Sequence, residues 1–177
     1  MKAIENWDSI EASGTRKRLI AGGYIARITS AQDFPEREYL RIEYDIADGE
    51  FFGYGANSLE RFGFNPLSFI RSYKPTATGM FKAFITAVER SNRNFFADVE
   101  HGFDERQLAG KLVGLVIGEE EYLKRDATIG TRYVVAAVCA VEDIKAGRFS
   151  VPEKKKLPVT EATPDWVPAD SELPLDI

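Results

Sequence analysis

The chain has 177 residues, of which 44% are hydrophobic and 29% are charged, and its formal net charge is -5. This length suits one domain with enough apolar material for a core. The longest continuous apolar run, Tyr133 to Val141, covers nine residues, which is too short for the ~20 residues of a membrane helix. Because the N-terminus also lacks the apolar core of a signal peptide, we expect a cytoplasmic protein that does not associate with membranes.

The net negative charge comes from the C-terminal end of the chain. Residues 159–177 contain five acids and no Lys or Arg, so residues 1–158 hold 23 charges of each sign and are neutral. We therefore predict three parts: a polar lead-in over residues 1–18, a binding domain over residues 19–158, and an acidic, disordered tail over residues 159–177. One cysteine, Cys139, and one histidine, His101, exclude an internal disulfide and a metal site built from Cys and His. No cofactor is expected.

The first half of the domain is predicted to be three strands. Residues 19–30 form an apolar stretch bent at Gly22 and Gly23, and a polar link over residues 31–38 follows. Residues 39–46 alternate between apolar and polar side chains, which predicts a strand with one buried face. Asp48 and Gly49 then form a tight-turn dipeptide. Residues 50–54 are accordingly predicted to be the third strand, completing a hairpin with the second.

The second half of the domain is predicted to be one helix and two strands. Residues 55–75 are irregular, but apolar residues recur every three or four positions from Thr76 and predict a helix that ends near Ser91. Residues 111–118 and 131–141 are β-rich runs that are apolar on both faces, as in strands covered on both sides. The resulting fold class is mainly β: a five-stranded barrel of the oligonucleotide-binding (OB) type with one helix between strands three and four. The same order also permits an open α+β sandwich.

Aromatic and basic side chains are concentrated in residues 51–74, where seven rings accompany three cations. Rings that stack on bases, beside cations that follow phosphates, are typical of proteins that bind single-stranded nucleic acid. Most of the phenylalanines have a simpler interpretation as core residues. We expect this for Phe52, Phe64, Phe69, Phe81 and Phe84, whereas Tyr54 and Tyr73 are expected to be exposed.

The binding surface of an OB barrel comprises strands two and three, with the loops after strand one and between strands four and five. Strand alternation directs Tyr39 and Arg41 away from the core, although Glu43 and Asp45 share that face and repel phosphate. For each charged residue among the candidates, an ordinary solvated surface position is an equally compatible interpretation. The candidate DNA-binding residues are Tyr39, Arg41, Tyr54, Arg61, Arg71, Tyr73, Lys74, Lys124 and Arg125.

The acidic tail provides a second candidate site. A mobile polyanion near a cationic groove competes with DNA for it, and the displaced tail can then dock on a protein partner. The candidate partner-binding residues are Asp170, Glu172, Leu173, Leu175, Asp176 and Ile177. A plain solubilising role for this segment remains open.

Enzymatic interpretations have weaker support. The segment Val141-Glu-Asp-Ile-Lys145 contains the (D/E)-x-K element of Mg²⁺-dependent nucleases, in which carboxylates bind the metal and the lysine lies near the attacking water. Asp126 would have to supply the other metal ligand. Such a short pattern arises often by chance. We expect no catalytic residue and no resident metal ion.

Several segments resemble small proteins of bacteriophages and prophages of Gram-positive hosts, over about residues 19–158. These segments are Ala21 to Tyr24, Tyr39 to Ile46 with Gly49 and Glu50, Ser72 to Lys74, Phe81 to Asn92, Gly110 and Lys111, Gly118 to Tyr122 and Ile144 to Pro158. Proteins of that kind are described as hypothetical or as single-stranded DNA-binding replication proteins. The run Glu172-Leu-Pro-Leu175 is similar to the acidic tip of bacterial and phage single-stranded DNA-binding proteins, but Asp176 and Ile177 replace the terminal aromatic residue of that tip.

The sequence and the resemblance together predict a non-catalytic, phage-type single-stranded DNA-binding protein in the bacterial host cytoplasm. Its expected partners are single-stranded DNA and phage or host proteins of DNA replication and DNA recombination, which its tail recruits. Whether it forms a homo-oligomer stays open. The alternative is a non-catalytic phage protein-interaction module, and the remote alternative is the Mg²⁺-dependent nuclease.

Overall fold

The computed structural model describes residue 3 and residues 18–158. Five strands form one antiparallel sheet in the order β3-β2-β1-β4-β5. Their bounds are Gly22–Phe34 (β1), Tyr39–Ile46 (β2), Ser68–Ser72 (β3), Leu112–Leu123 (β4) and Ile129–Cys139 (β5). The protein is therefore mainly β, as predicted.

The sheet is open, so the predicted closure into a barrel is not present. Within residues 18–158, no ladder joins β3 to β5, which form the two edges. The helix Thr78–Ser91 (α2) packs against β3, β4 and β5 and thus occupies the space in which the two edges would meet. As predicted, it follows the third strand and precedes the fourth.

Strand β1 is shared between two half-sheets. Its N-terminal part pairs with β4 and its C-terminal part pairs with β2, with a register shift between Ile28 and Ser30. The two pairings overlap only over residues 25–28, counting the backbone bonds from Ala47 N to Ile25 O and from Ile28 N to Lys111 O. Residues 25–28 are called the junction below.

The core lies between one face of the sheet and α2. Fully buried side chains come from β1, β2 and β4, and α2 contributes Phe84 and Val88, both without measurable exposure. The i, i+3, i+4 spacing predicted this apolar stripe correctly. No helix in the described part of the chain is long and apolar enough to cross a membrane.

The predicted third strand over residues 50–54 is wrong, as is the hairpin at Asp48-Gly49. Residues 51–53 form a turn in which Gly53 has φ 71°, and the helix Tyr54–Phe62 (α1) follows. The Asp45 carboxylate accepts hydrogen bonds from the backbone N–H groups of Gly55 (2.6 Å) and Ala56 (3.0 Å). It thereby satisfies donors that the first turn of a helix leaves without partners. The third strand instead lies at Ser68–Ser72.

The prediction that both late strands are covered on each face holds for β4 but not for β5. Residues 113–118 are buried, because the short helix Val141–Lys145 (α3) and residues 149–152 cover the face of β4 that points away from the core. Three glycines permit this close approach: Gly23 beside Phe149, Gly114 beside Ile144 and Gly118 beside Pro152. In β5, Ala136 and Ala137 are exposed.

Candidate nucleic-acid interface

One region of the sheet presents side chains to solvent on the face opposite the core. It is formed by the C-terminal part of β1 together with β2 and β3, and it is called the outer face below. The register places nine side chains on it: Ser30, Gln32 and Phe34 from β1, Tyr39, Arg41 and Glu43 from β2, and Ser68, Ile70 and Ser72 from β3. The corresponding face of β4 is covered by α3 and residues 149–152, so the outer face ends at β1.

An aromatic pair and an ion pair dominate the outer face. The rings of Phe34 and Tyr39 stack with a centroid distance of 4.8 Å and an interplanar angle of 22°. Arg41 is half exposed and lies 3.6 Å from Glu43, which also accepts a hydrogen bond from the Ser30 hydroxyl. Ile70 is 54% exposed beside Arg41. The face therefore offers planar and apolar contact area, with one cation balanced by one carboxylate.

Phe34 and Ile70 belong to this surface although the sequence did not single them out. Strand one was predicted to end at Ser30, so Phe34 fell in the polar link. The signal that could have placed it is the apolar residue directly before Pro35, because a residue before proline favours extended backbone. Ile70 was missed because its strand was not identified.

The three candidate residues from 71 to 74 differ in their surroundings. Arg71 is 8% exposed on the core face, where its guanidinium lies 4.7 Å from the Phe69 ring centroid and donates to the Ile70 carbonyl. Burial lowers the pKa of Arg71 from its usual value. Arg71 is therefore part of the core and not of a solvent-facing interface. Lys74 is exposed, two residues beyond Ser72, which pairs with Tyr39.

Tyr73 is half-buried, in contrast to the exposure expected for it. Its ring packs edge-on against Phe81 at 5.8 Å, and its hydroxyl donates to Asp33 Oδ1 at 2.9 Å. Burial, followed by the hydrogen bond to Asp33, raises the pKa of Tyr73 to about 12. This ring is engaged within the protein rather than presented to a base.

The region around α1 holds Tyr54, Arg61 and an exposed aromatic group. Tyr54 is also half-buried, and the centroid of its ring lies 6.2 Å from that of Phe51. Arg61 is exposed on the helix. Phe52 and Phe64, expected in the core, are 70% and 58% exposed. Phe69, Phe81 and Phe84 are buried, as expected. A short turn and loop around α1 thus expose rings that composition alone assigns to the interior.

The structure does not bring Lys124 and Arg125 to the outer face. Both are exposed in the turn between β4 and β5. The β4 ladder with β1 begins at Gly22 and Ile117, and this turn lies beyond that end, whereas Tyr39 lies beside Phe34 at the other end of β1. The tail candidates Asp170, Glu172, Leu173, Leu175, Asp176 and Ile177 lie outside the described residues.

The residues of the nuclease alternative are also apart. The Asp126 carboxylate accepts from the Thr128 hydroxyl and N–H, and Asp143 pairs with Arg148 at 2.9 Å and Arg90 at 3.4 Å, which lowers the pKa of each acid. The α3 helix containing Asp143 packs on Gly114, whereas Asp126 follows Leu123, so about nine residues of β4, or ~30 Å, separate the two acids. Within residues 18–158, no group of three or more His, Cys, Asp or Glu side chains is arranged to hold a metal ion.

Two of the three consecutive glutamates near the end of β4, Glu120 and Glu121, form ion pairs. Glu120 pairs with Arg132 at 2.9 Å and Lys155 at 3.3 Å, and Glu121 pairs with Lys154 at 3.0 Å. These hydrogen bonds lower the pKa of both carboxyls. They attach residues 154–155 to the part of β4 that extends beyond β1.

Comparison with protein-family models finds no match for this chain, and comparison with curated proteins likewise finds none.

Proposed function

We propose that this protein binds single-stranded DNA on its outer face, without catalysis, in phage DNA replication or recombination. The observation that carries the proposal is the outer face itself: an open patch on β1, β2 and β3 with a stacked aromatic pair, a half-exposed arginine and an exposed isoleucine. Strands two and three are also the surface through which OB folds bind oligonucleotides.

The strand connectivity supports an OB-like arrangement. Two half-sheets share β1, and the main helix lies between the third and fourth strands, as in a five-stranded OB barrel. Such barrels are often only partly closed. In this proposal α2 occupies the open side of a partly closed barrel, and the outer face is its ligand surface.

The charge of the outer face implies binding led by stacking. Arg41 is offset by Glu43, and the exposed Lys74 lies two residues beyond the end of β3. If these two cations each contact one phosphate, the logarithm of the affinity should fall with the logarithm of salt concentration with a slope of about -1.4 for single strands. Bases stacked on Tyr39 or Phe34 would contribute ~1 to 3 kcal/mol each.

Fluorescence anisotropy with a labelled thymidine oligonucleotide of about 25 nucleotides tests this proposal against a duplex of the same length. We expect preference for the single strand, a loss of about tenfold in affinity for Tyr39→Ala, and a shallower salt slope for Arg41→Ala. Tyr122→Ala is the matched control, because Tyr122 is 36% exposed near the distal end of β4. Circular dichroism checks that each variant is folded. Equal or absent binding to the two DNA forms would refute the proposal.

The acidic segment over residues 159–177 is proposed to compete with DNA and to recruit replication or recombination proteins. Deleting it should tighten DNA binding at low salt, because a polyanion that competes with DNA is removed from the chain. Unchanged affinity at low salt would contradict the competition and leave the DNA-binding proposal intact. Absent DNA binding together with a stable protein complex would favour the protein-interaction module.

A further inference from the structure

A groove on the other side of the protein from the outer face combines an apolar floor with acidic walls. It lies between α2 and residues 96–105 and has a volume of about 580 Å³. Its floor is formed by core side chains, namely Leu40, Phe81, Ile85 and the half-buried Phe103. Phe96, 75% exposed, and Val99, 46% exposed, stand at its rim.

The charged residues that line the groove are almost all acidic. They are Asp33, Glu89, Asp98, Glu100 and Glu105, against the single cation Lys82. Three of the acids already accept hydrogen bonds: Asp33 from Tyr73, Glu89 from the Ala97 N–H, and Asp98 from His101. Glu100 and Glu105 form no ion pair with any residue in the described part of the chain. Among the described residues that line it, the groove therefore carries net negative charge.

Tyr73 lines the groove, and its raised pKa is consistent with this negative charge. After burial and the hydrogen bond to Asp33, the negative charges of Asp33, Glu38 and Glu105 contribute to raising the pKa of its hydroxyl to about 12. A negative potential disfavours the phenolate because it adds a second negative charge nearby. The same potential repels phosphate backbones and the acidic residues of the tail.

We propose that this groove binds a lysine- or arginine-rich amphipathic segment of a partner protein. Charge complementarity selects the cationic ligand, since Glu100 and Glu105 form no ion pair within residues 18–158 and can pair with cations of the ligand. The apolar floor and the rim phenylalanine select a segment that also carries aliphatic or aromatic side chains, whose burial supplies most of the binding free energy. DNA and a basic protein would then occupy opposite surfaces, so both can bind at once.

The test uses the full-length chain and a fluorescein-labelled peptide of about twelve residues that alternates lysine with leucine and tryptophan. One control peptide has glutamate in place of lysine, and the other has serine in place of the apolar residues. We expect measurable binding of the first peptide only. Equal binding of the glutamate peptide would overturn the electrostatic part of the argument, and equal binding of the serine peptide would overturn the role of the floor.

Paired variants locate the binding site. Glu100→Lys combined with Glu105→Lys should weaken peptide binding by about tenfold or more, whereas the same reversal at Glu60 and Glu142, exposed acids on α1 and α3, should change it little. Phe96→Ala should weaken binding, while Phe52→Ala, which removes a similarly exposed ring elsewhere, should not.

Two results would overturn the proposal whatever the DNA experiments show. The first is unchanged peptide affinity in the Glu100/Glu105 reversal variant, with folding confirmed by circular dichroism. The second is a dimer in sedimentation velocity that the peptide dissociates, because the groove would then be occupied by a second copy of this chain. Retained DNA binding in the reversal variant is expected, and it separates this site from the outer face.

Discussion

The side chain of Asn92 connects the end of α2 to the start of β4, and its replacement by aspartate gives a sharp test of the packing. Its amide nitrogen donates to the carbonyls of Val88 and Leu112, both at 2.7 Å, and its carbonyl accepts from Leu112 N–H at 2.9 Å. Asn92→Asp keeps the shape but replaces the donor with an oxygen that faces two carbonyl oxygens. Loss of two hydrogen bonds at ~1 kcal/mol each, plus repulsion, should reduce the free energy of unfolding by about 2–3 kcal/mol.

Urea denaturation followed by circular dichroism measures this effect, with Asn57→Asp on the exposed side of α1 as the control. The carbonyls should raise the folded-state pKa of the introduced carboxyl above its unfolded value, because they favour the protonated form that can donate. The folded state then binds the proton more tightly, so the deficit should be smallest in acid and grow as the pH rises through that pKa. A deficit below about 0.5 kcal/mol at neutral pH, or one that does not depend on pH, would refute the donor assignment.

Two further predictions concern the same framework. Because the pKa of Tyr73 is raised to about 12, the folded state keeps its proton while the unfolded chain loses it, so this group makes stability fall as the pH rises between about 10 and 12. Tyr73→Phe should flatten the decline in urea midpoint over that range, and an unaltered decline would contradict the assignment. Gly23→Ala places a Cβ within 2.7 Å of the Phe149 ring, which should displace residues 148–152 and accelerate tryptic cleavage after Arg148. Adding Phe149→Ala should relieve the clash and restore the wild-type cleavage rate. Equal cleavage rates in the wild type and in Gly23→Ala would contradict the packing of Phe149 on Gly23.

The elements that the sequence predicted well are those whose periodicity is expressed within one segment. Strand β2 has the predicted bounds, Tyr39 to Ile46, because its apolar and polar residues alternate without interruption. The helix over Thr78–Ser91 likewise presents one continuous apolar stripe to the core. In both cases a single buried face fixes the pattern, and tertiary contacts reinforce what the local sequence already favours.

The errors arose where distant residues decide the local structure. Asp48-Gly49 is typical of a hairpin, but the carboxylate of Asp45 binds the first turn of α1 and Phe51 is buried, so the chain turns into a helix. In the true third strand, Phe69 and Arg71 are buried and Ile70 is exposed, so its side chains do not alternate between apolar and polar as the usual strand pattern requires. Closure was inferred from strand order, which does not reveal that α2 lies between the two edges.

In the candidate site too, the residues placed correctly are those whose direction follows from alternation within one strand. The orientations of Tyr39 and Arg41 followed from alternation within β2, and both lie on the outer face. Arg71 was placed with the cations of its segment, although in β3 it shares the buried face with Phe69. Lys124 and Arg125 were assigned by analogy with a barrel loop. They lie far from Tyr39 because β1 pairs with β4 at one end and with β2 at the other. No local sequence pattern encodes where these two pairings end.

The short overlap on β1 determines how the two half-sheets bear load against each other. Within residues 18–158, the β1–β2–β3 half and the β1–β4–β5 half share no strand ladder outside the junction. Force applied to one half therefore reaches the other mainly through the covalent backbone of residues 25–28 and through the helix packed behind it. An insertion within those four residues would uncouple both halves at once, whereas an insertion at Ala127 in the β4–β5 turn would only lengthen a hairpin.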